Sequence, residues 1–419
     1  MRIDLLLVTL VLSMTLPSSA EGQADPVAER VRAVLDRTPL FDGHNDLPWA
    51  IRNAPAPMDV AAYGLEGRAE GHTDIPRLLQ GRVGAQFWSV YIPFTPTNEG
   101  AARMQLEQID LMKEIIERYP QHFQLATSAS GVETAFGAGR IASLLGMEGG
   151  HAIENSLGAL RAFFRQGVRY MTLTHGTTID WADSGTGLPI HNGLSPFGME
   201  VVREMNRLGM LVDLSHTSPA TMHDALDVSE APVIFSHSSA RGVTDHPRNV
   251  PDDVLRRLPE NGGVVMITFV PGFVSSAIGE YGTREQAARV RFQASGAPAA
   301  EVERQVAEWR RQNPAPAATM DDVIAHIEHV KAVAGVDHVG IGGDFDGITS
   351  VPRGLEDVTT YPALLEELAR RGWTDQELAA LAGENVLRAM REAERTAARL
   401  QRERGPSLAT IEALDGASR

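Results

Sequence analysis

The chain has 419 residues, of which 43% are hydrophobic and 22% charged, so it can bury a sizeable core. Its formal net charge of −16 at pH 7 argues against nucleic acid and anionic membrane surfaces as partners, because both attract basic proteins. The sequence contains no cysteine, which excludes disulfides and thiolate ligands. Any metal ion must therefore be held by histidine and carboxylate side chains.

The N-terminal segment has the pattern of a secretory signal peptide. A basic residue precedes an apolar run over 5–16, and small residues follow as far as Ala20. The apolar run is too short to cross a bilayer comfortably. We therefore expect a signal peptide over 1–20 and one mature domain over 21–419, exported to the periplasm or fully secreted. A buried N-terminal helix is the alternative.

Eight short apolar runs alternate with helix-like segments along the rest of the chain. They predict strands at 39–46, 85–92, 141–148, 170–175, 210–216, 232–237, 263–270 and 338–346. Several runs are hydrophobic almost throughout, as strands buried on both faces are. Eight such units, separated by helices such as 101–119, 158–167 and 198–209, predict a (β/α)8 barrel. An open doubly wound sheet is the alternative, but no glycine-rich phosphate loop follows the first strand.

Two segments depart from this alternation. Residues 279–318 are polar and rich in alanine and arginine, which predicts a helical insertion before the last strand. Residues 374–404 are amphipathic and highly charged, which predicts a C-terminal helical region. Neither segment indicates a second domain.

Side chains that bind metals occur at the carboxyl end of most predicted strands. They are His44, Asp46, Glu148, His175, His216, His237 and Asp344. Barrel enzymes place their catalytic groups at this end of the strands. A single such histidine is more often a hydrogen-bonded loop residue. Ligand-type residues on several loops at one end of one barrel predict a metal site instead.

The motifs that contain these residues resemble the membrane dipeptidase (renal dipeptidase) family, peptidase family M19, of the amidohydrolase group. The similar motifs are DGHNDLPW (42–49), GMEGGHAI (146–153), YMTLTH (170–175), DLSHTS (213–218), IFSHSSAR (234–241), RNVPDD (248–253) and GIGGDFDG (340–347). The resemblance extends from about Thr38 to about Arg391. It implies a zinc-dependent dipeptidase, with a dipeptide as its small-molecule substrate, on a (β/α)8 barrel.

The resemblance implies two zinc ions per chain. His44 and Asp46 would bind the first ion, His216 and His237 the second, and Glu148 would bridge them. Imidazole and carboxylate groups suit Zn²⁺, and a shared anionic ligand offsets the repulsion between paired metals. A water between the ions would lose a proton near neutral pH and become the nucleophile.

The resemblance also implies catalytic and substrate-binding roles. Asp344 would be the acid/base that moves a proton from the attacking water to the leaving amine, and we favour it over Asp346 because it directly follows the strand. His175 would contact the substrate and stabilise the tetrahedral oxyanion. Arg248 would receive the terminal carboxylate of the substrate by bidentate pairing. The alternative for Arg248 is a surface salt bridge with a neighbouring aspartate of its own motif.

Three further histidines are weaker candidates. His151 follows the bridging glutamate by three residues and is a second-sphere or, more plausibly, a structural residue. His326 and His329 lie one helical turn apart, a spacing that can bind metal. We expect their helix to cover the barrel and reject it as a site.

Three tryptophans are candidates for the lining of a pocket. They are Trp49, Trp88 and Trp181. Trp181 is the most plausible, because it follows His175 by six residues, although ordinary packing explains it equally well.

The chain departs from the vertebrate members of the family, which are described as lipid-anchored and disulfide-bonded. It has no cysteine, and 408–419 lack the hydrophobic tail of a glycolipid-anchor signal. We therefore expect no stable membrane anchor and no disulfide-linked dimer. A non-covalent homodimer remains compatible with the resemblance.

Three functions remain open on this evidence. The first is a dinuclear zinc dipeptidase. The second is an N-acyl amino acid deacylase or a β-lactam hydrolase on the same site. The third is an exported zinc-binding protein without catalysis, against which Asp344 and His175 argue because storage needs neither.

The export hypothesis predicts a mature N-terminus at Glu21. Mass spectrometry of the protein recovered from outside the cytoplasm should find this terminus, because the peptidase would cut after Ala20. Replacing Ala20 with a bulky residue should delay cleavage. An intact Met1 on exported wild-type protein would contradict the prediction.

Overall fold

The computed structural model describes residues 25–416 and contains a closed parallel barrel. The expected signal peptide lies outside the described residues. The strands are β1 Leu40–Asn45, β2 Val83–Ser89, β3 Phe123–Leu125, β4 Ile141–Glu148, β5 Val168–Thr172, β6 Leu211–Asp213, β7 Ile234–Ser238, β8 Val264–Ile267 and β9 Val339–Ile341. Eight of them close in the order β1-β2-β4-β5-β6-β7-β8-β9, and β9 pairs again with β1. The predicted (β/α)8 barrel is confirmed.

Strand β3 does not belong to the closed barrel, which the other eight strands form. It pairs in parallel with the first half of β4, with Phe123 opposite Ile141 and Leu125 opposite Ser143. Further along β4 the same edge pairs with β5. The sequence did not predict β3, because a segment of three residues is too short to show a strand pattern.

Helices surround the strands. The α-helices are α1 Pro26–Leu35, α2 Leu47–Arg52, α3 Val60–Tyr63, α4 Ile75–Gln80, α5 Ala101–Arg118, α6 Ala129–Gly137, α7 Leu157–Arg165, α8 Pro196–Leu208, α9 Pro219–Val228, α10 Asp252–Leu255, α11 Leu258–Asn261, α12 Pro271–Val274, α13 Ser276–Ala294, α14 Ala299–Gln312, α15 Met320–Ala334, α16 Tyr361–Arg370, α17 Asp375–Ala379, α18 Asn385–Glu403 and α19 Ile411–Asp415. Short 3₁₀ segments are Gly150–Ile153, Val336–His338 and Val358–Thr360, and a π segment, Ala380–Glu384, joins α17 to α18. None of the described helices is both long and apolar enough to span a bilayer.

Local signals in the sequence determine where these helices begin and end. Helix α8, for example, begins after Ser195, whose side chain accepts a hydrogen bond from Gly198 N. It ends at Gly209, which has a φ of 82°, a left-handed conformation that glycine adopts without strain. The predicted helix over 198–209 is therefore confirmed.

The predicted insertion is a helical hairpin of α13 and α14. The ring centroids of Tyr281 and Trp309 lie 5.4 Å apart between the two helices. Arg310 pairs with Glu285 at 2.6 Å across the same hairpin. The predicted C-terminal helical region corresponds to α17, the π segment and α18. Within it, Asn385 Nδ2 donates to Val339 O of β9 at 2.9 Å.

The barrel interior beneath the carboxyl ends of the strands is densely packed. Phe87 lies between two aromatic neighbours, with ring centroids 5.2 Å from Phe41 and 4.9 Å from Tyr170. At Gly342 a Cβ atom would lie 2.0 Å from the backbone oxygen of Ser236. Only glycine therefore allows the chain after β9 to approach β7 across the barrel. This close approach brings the ends of distant strands to one site.

Candidate metal centre and active site

The structure brings the five expected metal ligands together around one carboxylate, that of Glu148. Glu148 Oε1 lies 3.0 Å from His216 Nε2 and 3.3 Å from His237 Nε2. Glu148 Oε2 lies 3.6 Å from His44 Nε2, which is 3.2 Å from Asp46 Oδ2. Glu148 ends β4, His44 lies near the end of β1 and His237 lies in β7. Strands remote in sequence thus deliver their last side chains to one point.

Four of the expected site residues, Asp46, His175, His216 and Asp344, follow their strands rather than lie within them. His216 and Asp344 each lie three residues beyond the last strand residue, at φ values of 68° and 63°. The predicted strands 210–216 and 338–346 are therefore too long at their carboxyl ends. Left-handed backbone is costly for residues other than glycine, and such strain concentrates at functional sites. His216 and Asp344 both line the cavity at the mouth of the barrel, to which the left-handed backbone directs their side chains.

The donor atoms fit a metal ion. Three sets of donors lie within 4.8 Å of one another: His44, Glu148 and His237; Glu148, His175 and His216; and His44, Asp46 and Asp344. Glu148 belongs to two of the sets. His44 Nε2 and Asp46 Oδ1 are buried and have no hydrogen-bond partner among the described residues. Buried polar atoms that lack partners are costly, and a bound cation would satisfy both.

The electrostatics of the site also favour a cation. Burial raises the pKa of Glu148 and of Asp344, and the charge of Asp46 adds to both shifts although His44 opposes them. Burial and neighbouring cationic groups hold the pKa of His216 and His237 well below the ordinary value. His44 differs from these two histidines: burial opposes its charged form, but the charges of Glu148 and Asp46 raise its pKa to about 10. The cluster thus contains crowded carboxyl groups and two neutral imidazoles, and a bound cation would take the place of the proton on His44.

His175 lies at the open side of the cluster. Its Nε2 is 3.8 Å from Glu148 Oε1, and its ring centroid is 4.2 Å from that of His216. Burial, together with the nearby Arg248 charge, lowers the pKa of His175 to about 4. The imidazole is therefore neutral near pH 7 and can donate one hydrogen bond toward the cavity.

Arg248 is buried beside the cluster without a carboxylate partner. Its side chain donates from Nη2 to His237 O at 3.2 Å and from Nη1 to Ser238 Oγ at 3.4 Å. Its guanidinium lies 5.3 Å from the ring centroid of Phe273. Within residues 25–416 no carboxylate oxygen approaches it to 4 Å, and the residue is only 4% exposed. The alternative of a surface salt bridge is therefore excluded.

These groups share one cavity of about 430 Å³. Its lining residues are Asp46, Trp49, Tyr91, Glu148, His175, His216, His237, Arg248, Val270, Phe273, Asp344, Gly347 and Ile348. Asp346 instead lines a neighbouring cavity, where its Oδ1 accepts from His72 N at 2.7 Å. The geometry therefore favours Asp344 over Asp346 as the residue that meets a ligand.

The preference for Trp181 as a pocket residue was wrong. Trp181 is fully buried, packs edge-on against Phe197 and does not line the cavity. Trp49 does line it, with its ring 5.0 Å from that of Tyr91. Trp49 could have been recognised from the sequence, because it belongs to the motif DGHNDLPW that contains His44. Tyr91 belongs to none of the similar motifs.

The three weaker histidine candidates, His151, His326 and His329, have structural partners, as expected. His151 is in contact with Pro93 O at 3.2 Å through Nε2, and burial lowers its pKa to about 4. His326 Nδ1 accepts from Ala240 N at 3.0 Å. His329 pairs with Asp252 at 2.8 Å on the outside of the barrel.

The profile described as membrane dipeptidase (peptidase family M19) matches residues 28–404. The chain is 23% identical to the probable dipeptidase PvdM from Pseudomonas aeruginosa, with a TM-score of 0.76, 88% of this chain and 99% of that chain being covered. At this identity the similarity supports the fold alone.

Two further solved structures are similar over most of their length. One is the dipeptidase AC of family M19, at 26% identity and a TM-score of 0.70. The other is a metallopeptidase from Rhodobacter sphaeroides, liganded with a phosphinate mimic of the dipeptide L-Ala-D-Ala, at 25% identity and a TM-score of 0.70. Each comparison covers 85% of this chain and 99% of the other. With the family profile matching nearly the whole described chain, this protein belongs to the membrane dipeptidase family, peptidase family M19.

Proposed function

We propose that the protein is a dinuclear zinc dipeptidase that hydrolyses dipeptides with a free C-terminal carboxylate. The observation that carries the proposal is the position of Glu148, whose two oxygens face different imidazoles in the cavity that also contains the unpaired Arg248. Membership of a metallo-dipeptidase family supports it. The dipeptide mimic bound by the Rhodobacter sphaeroides relative supports the substrate class. We also propose export, on the pattern of 1–20.

The proposed zinc ligands divide into two sets. His44 and Asp46 would hold one ion, His216 and His237 the other, and Glu148 both. Imidazole and carboxylate donors suit zinc, although related divalent ions use the same donors. When bound, the ions would supply Lewis-acid polarisation of the scissile carbonyl and of the attacking water.

Asp344 and His175 would move and stabilise charge during the reaction. Asp344 lies in the cavity with its pKa raised by burial, so it can accept a proton from the attacking water and return it to the leaving amine. His175 is neutral and would donate a hydrogen bond to the developing oxyanion. Both side chains line the cavity that Glu148, His216 and His237 also line.

Arg248 would orient the substrate. Burial lowers the pKa of Arg248 to about 10, so the guanidinium stays charged at neutral pH. Within residues 25–416 it has no carboxylate partner. A substrate carboxylate would provide that partner through a charge-assisted, bidentate contact. The cavity volume of about 430 Å³ is near the lower end for ligand sites, which favours a dipeptide over a longer peptide.

The first prediction from this proposal concerns zinc and activity together. Elemental analysis should approach two zinc ions per chain, and zinc-loaded protein should hydrolyse a panel of L-L and L-D dipeptides in preference to N-acyl amino acids and β-lactams. Glu148→Gln should weaken both sites, because it removes the shared charge. His329→Gln, outside the cluster, should retain both ions. Full activity at one zinc per chain would rule out the dinuclear proposal.

A second prediction concerns Asp344. Asp344→Asn preserves size and removes the proton acceptor, so kcat should fall by about 10²- to 10⁴-fold while bound zinc is largely retained. Steady-state kinetics and elemental analysis on the same preparation separate the two effects. Asp346→Asn is the matched control and should lower kcat far less. The assignment is wrong if the Asp346 variant loses as much kcat as the Asp344 variant.

A third prediction concerns Arg248. Arg248→Ala should lower kcat/KM for free-acid dipeptides, because it removes the carboxylate contact. Dipeptide amides should already be poor substrates of the wild type and should lose little more in the variant. Arg248→Lys keeps the charge without the bidentate geometry, so its kcat/KM for free-acid dipeptides should lie between those of the wild type and Arg248→Ala. Equal losses for acid and amide substrates would show that Arg248 acts only structurally.

A further inference from the structure

A chain of hydrogen bonds runs from His237 into the interior of the barrel. Ser236 Oγ lies 2.8 Å from His237 Nδ1, on the side of the ring away from the cluster. The same hydroxyl donates to Asp213 Oδ2 at 2.7 Å. All three side chains are buried, and Asp213 belongs to neither the donor cluster nor the cavity lining.

The direction of each proton in this chain follows from the partners of Asp213. Two backbone N–H groups, of Ser236 at 2.8 Å and Ser215 at 3.1 Å, donate to its Oδ1. The Thr172 hydroxyl donates to Oδ2 at 2.5 Å. Together with the Ser236 hydroxyl, these donors occupy both oxygens of Asp213, which is the acceptor of the network.

The hydrogen bond that Ser236 donates to Asp213 determines the tautomer of His237. The Ser236 proton points to Asp213, so a lone pair of Ser236 Oγ faces His237 Nδ1. Nδ1 must then carry the imidazole proton and donate it to Ser236. The lone pair of Nε2 then points into the donor cluster, where Glu148 Oε1 lies 3.3 Å and His216 Nε2 2.9 Å away.

The other imidazoles of the cluster are supported differently. His44 Nδ1 pairs with the Tyr170 hydroxyl at 2.9 Å. His216 Nδ1 is buried and has no hydrogen-bond partner among residues 25–416. Of the two histidines proposed for the second zinc position, His237 is therefore the one with a side-chain partner at Nδ1.

We propose that Asp213 and Ser236 are positioning residues that orient His237, select its metal-binding tautomer and so set the affinity of the second zinc position. The inference rests on the proposed dinuclear function. Outer partners of metal-binding histidines fix ring orientation and raise ligand basicity, and their loss typically weakens metal affinity by about 10- to 100-fold. Asp213 would act through Ser236 and would touch neither metal nor substrate.

The test is zinc affinity rather than activity alone. Stepwise zinc binding to the metal-free full chain would be measured by competition with a chelator, and the step lost in His237→Gln identifies the second position. Ser236→Ala should weaken this step by about 10- to 100-fold and change the other step less. Asp213→Asn, which keeps shape and loses charge, should act in the same direction. Excess zinc should restore most of kcat in both variants.

Thr172→Val is the matched control. It removes another buried hydroxyl from the same carboxylate but leaves the Asp213–Ser236–His237 chain intact. Both zinc steps should stay near wild type in this variant. Equal weakening by Thr172→Val, or unchanged zinc steps in Ser236→Ala and Asp213→Asn, would overturn the inference. A wild type with a single zinc step would instead contradict the proposed dinuclear function.

Discussion

The burial of several carboxylates around one point is the constraint on which the site depends. Glu148, Asp46 and Asp344 share the mouth of the barrel, where low solvent exposure makes their mutual repulsion and their desolvation costly. The guanidinium of Arg248 lines the same cavity, and within residues 25–416 it forms no ion pair with them. His216 and His237 add electron donors rather than charge, whereas the charges of Glu148 and Asp46 raise the pKa of His44 to about 10 against the effect of burial. Bound cations would offset the crowding of the carboxyl groups, which is why we propose that the cluster binds metal.

The barrel explains how such an unfavourable cluster can form. Closing eight strands brings their carboxyl ends into one ring. Residues as far apart in the sequence as His44 and Asp344 therefore become neighbours in the barrel. Asp42 contributes directly to this convergence. Its Oδ1 accepts from His44 N at 3.2 Å and from Gly343 N at 2.8 Å, while the Tyr361 hydroxyl donates to Oδ2 at 2.6 Å. One buried carboxylate thus joins the end of β1 to the loop that carries the proposed acid/base.

The sequence predicted the barrel and the cluster because both depend on local patterns that recur along the chain. Apolar runs mark the eight barrel strands, and His44, Glu148 and His237 stand at the ends of three of them. What the sequence could not show depends on conformation in three dimensions. The left-handed turns at His216 and Asp344 follow apolar residues that read as continued strand. Trp181 turns into the core although it is close in sequence to the site, and β3 is too short to leave a pattern.

The supporting residues were hidden for a different reason. Asp213, Ser236 and Tyr170 lie inside apolar runs, where a polar residue reads as an interruption of a strand rather than as part of a site. Their function becomes visible only when three strands are adjacent and the donors and acceptors can be counted. Because Asp213 accepts the hydroxyl proton of Ser236, the oxygen of Ser236 is left to accept a hydrogen bond from Nδ1 of His237. On the proposed assignment, the interior of the barrel would contribute to metal binding at its mouth, because it places the imidazole proton of His237 on Nδ1 and leaves the lone pair of Nε2 for a metal.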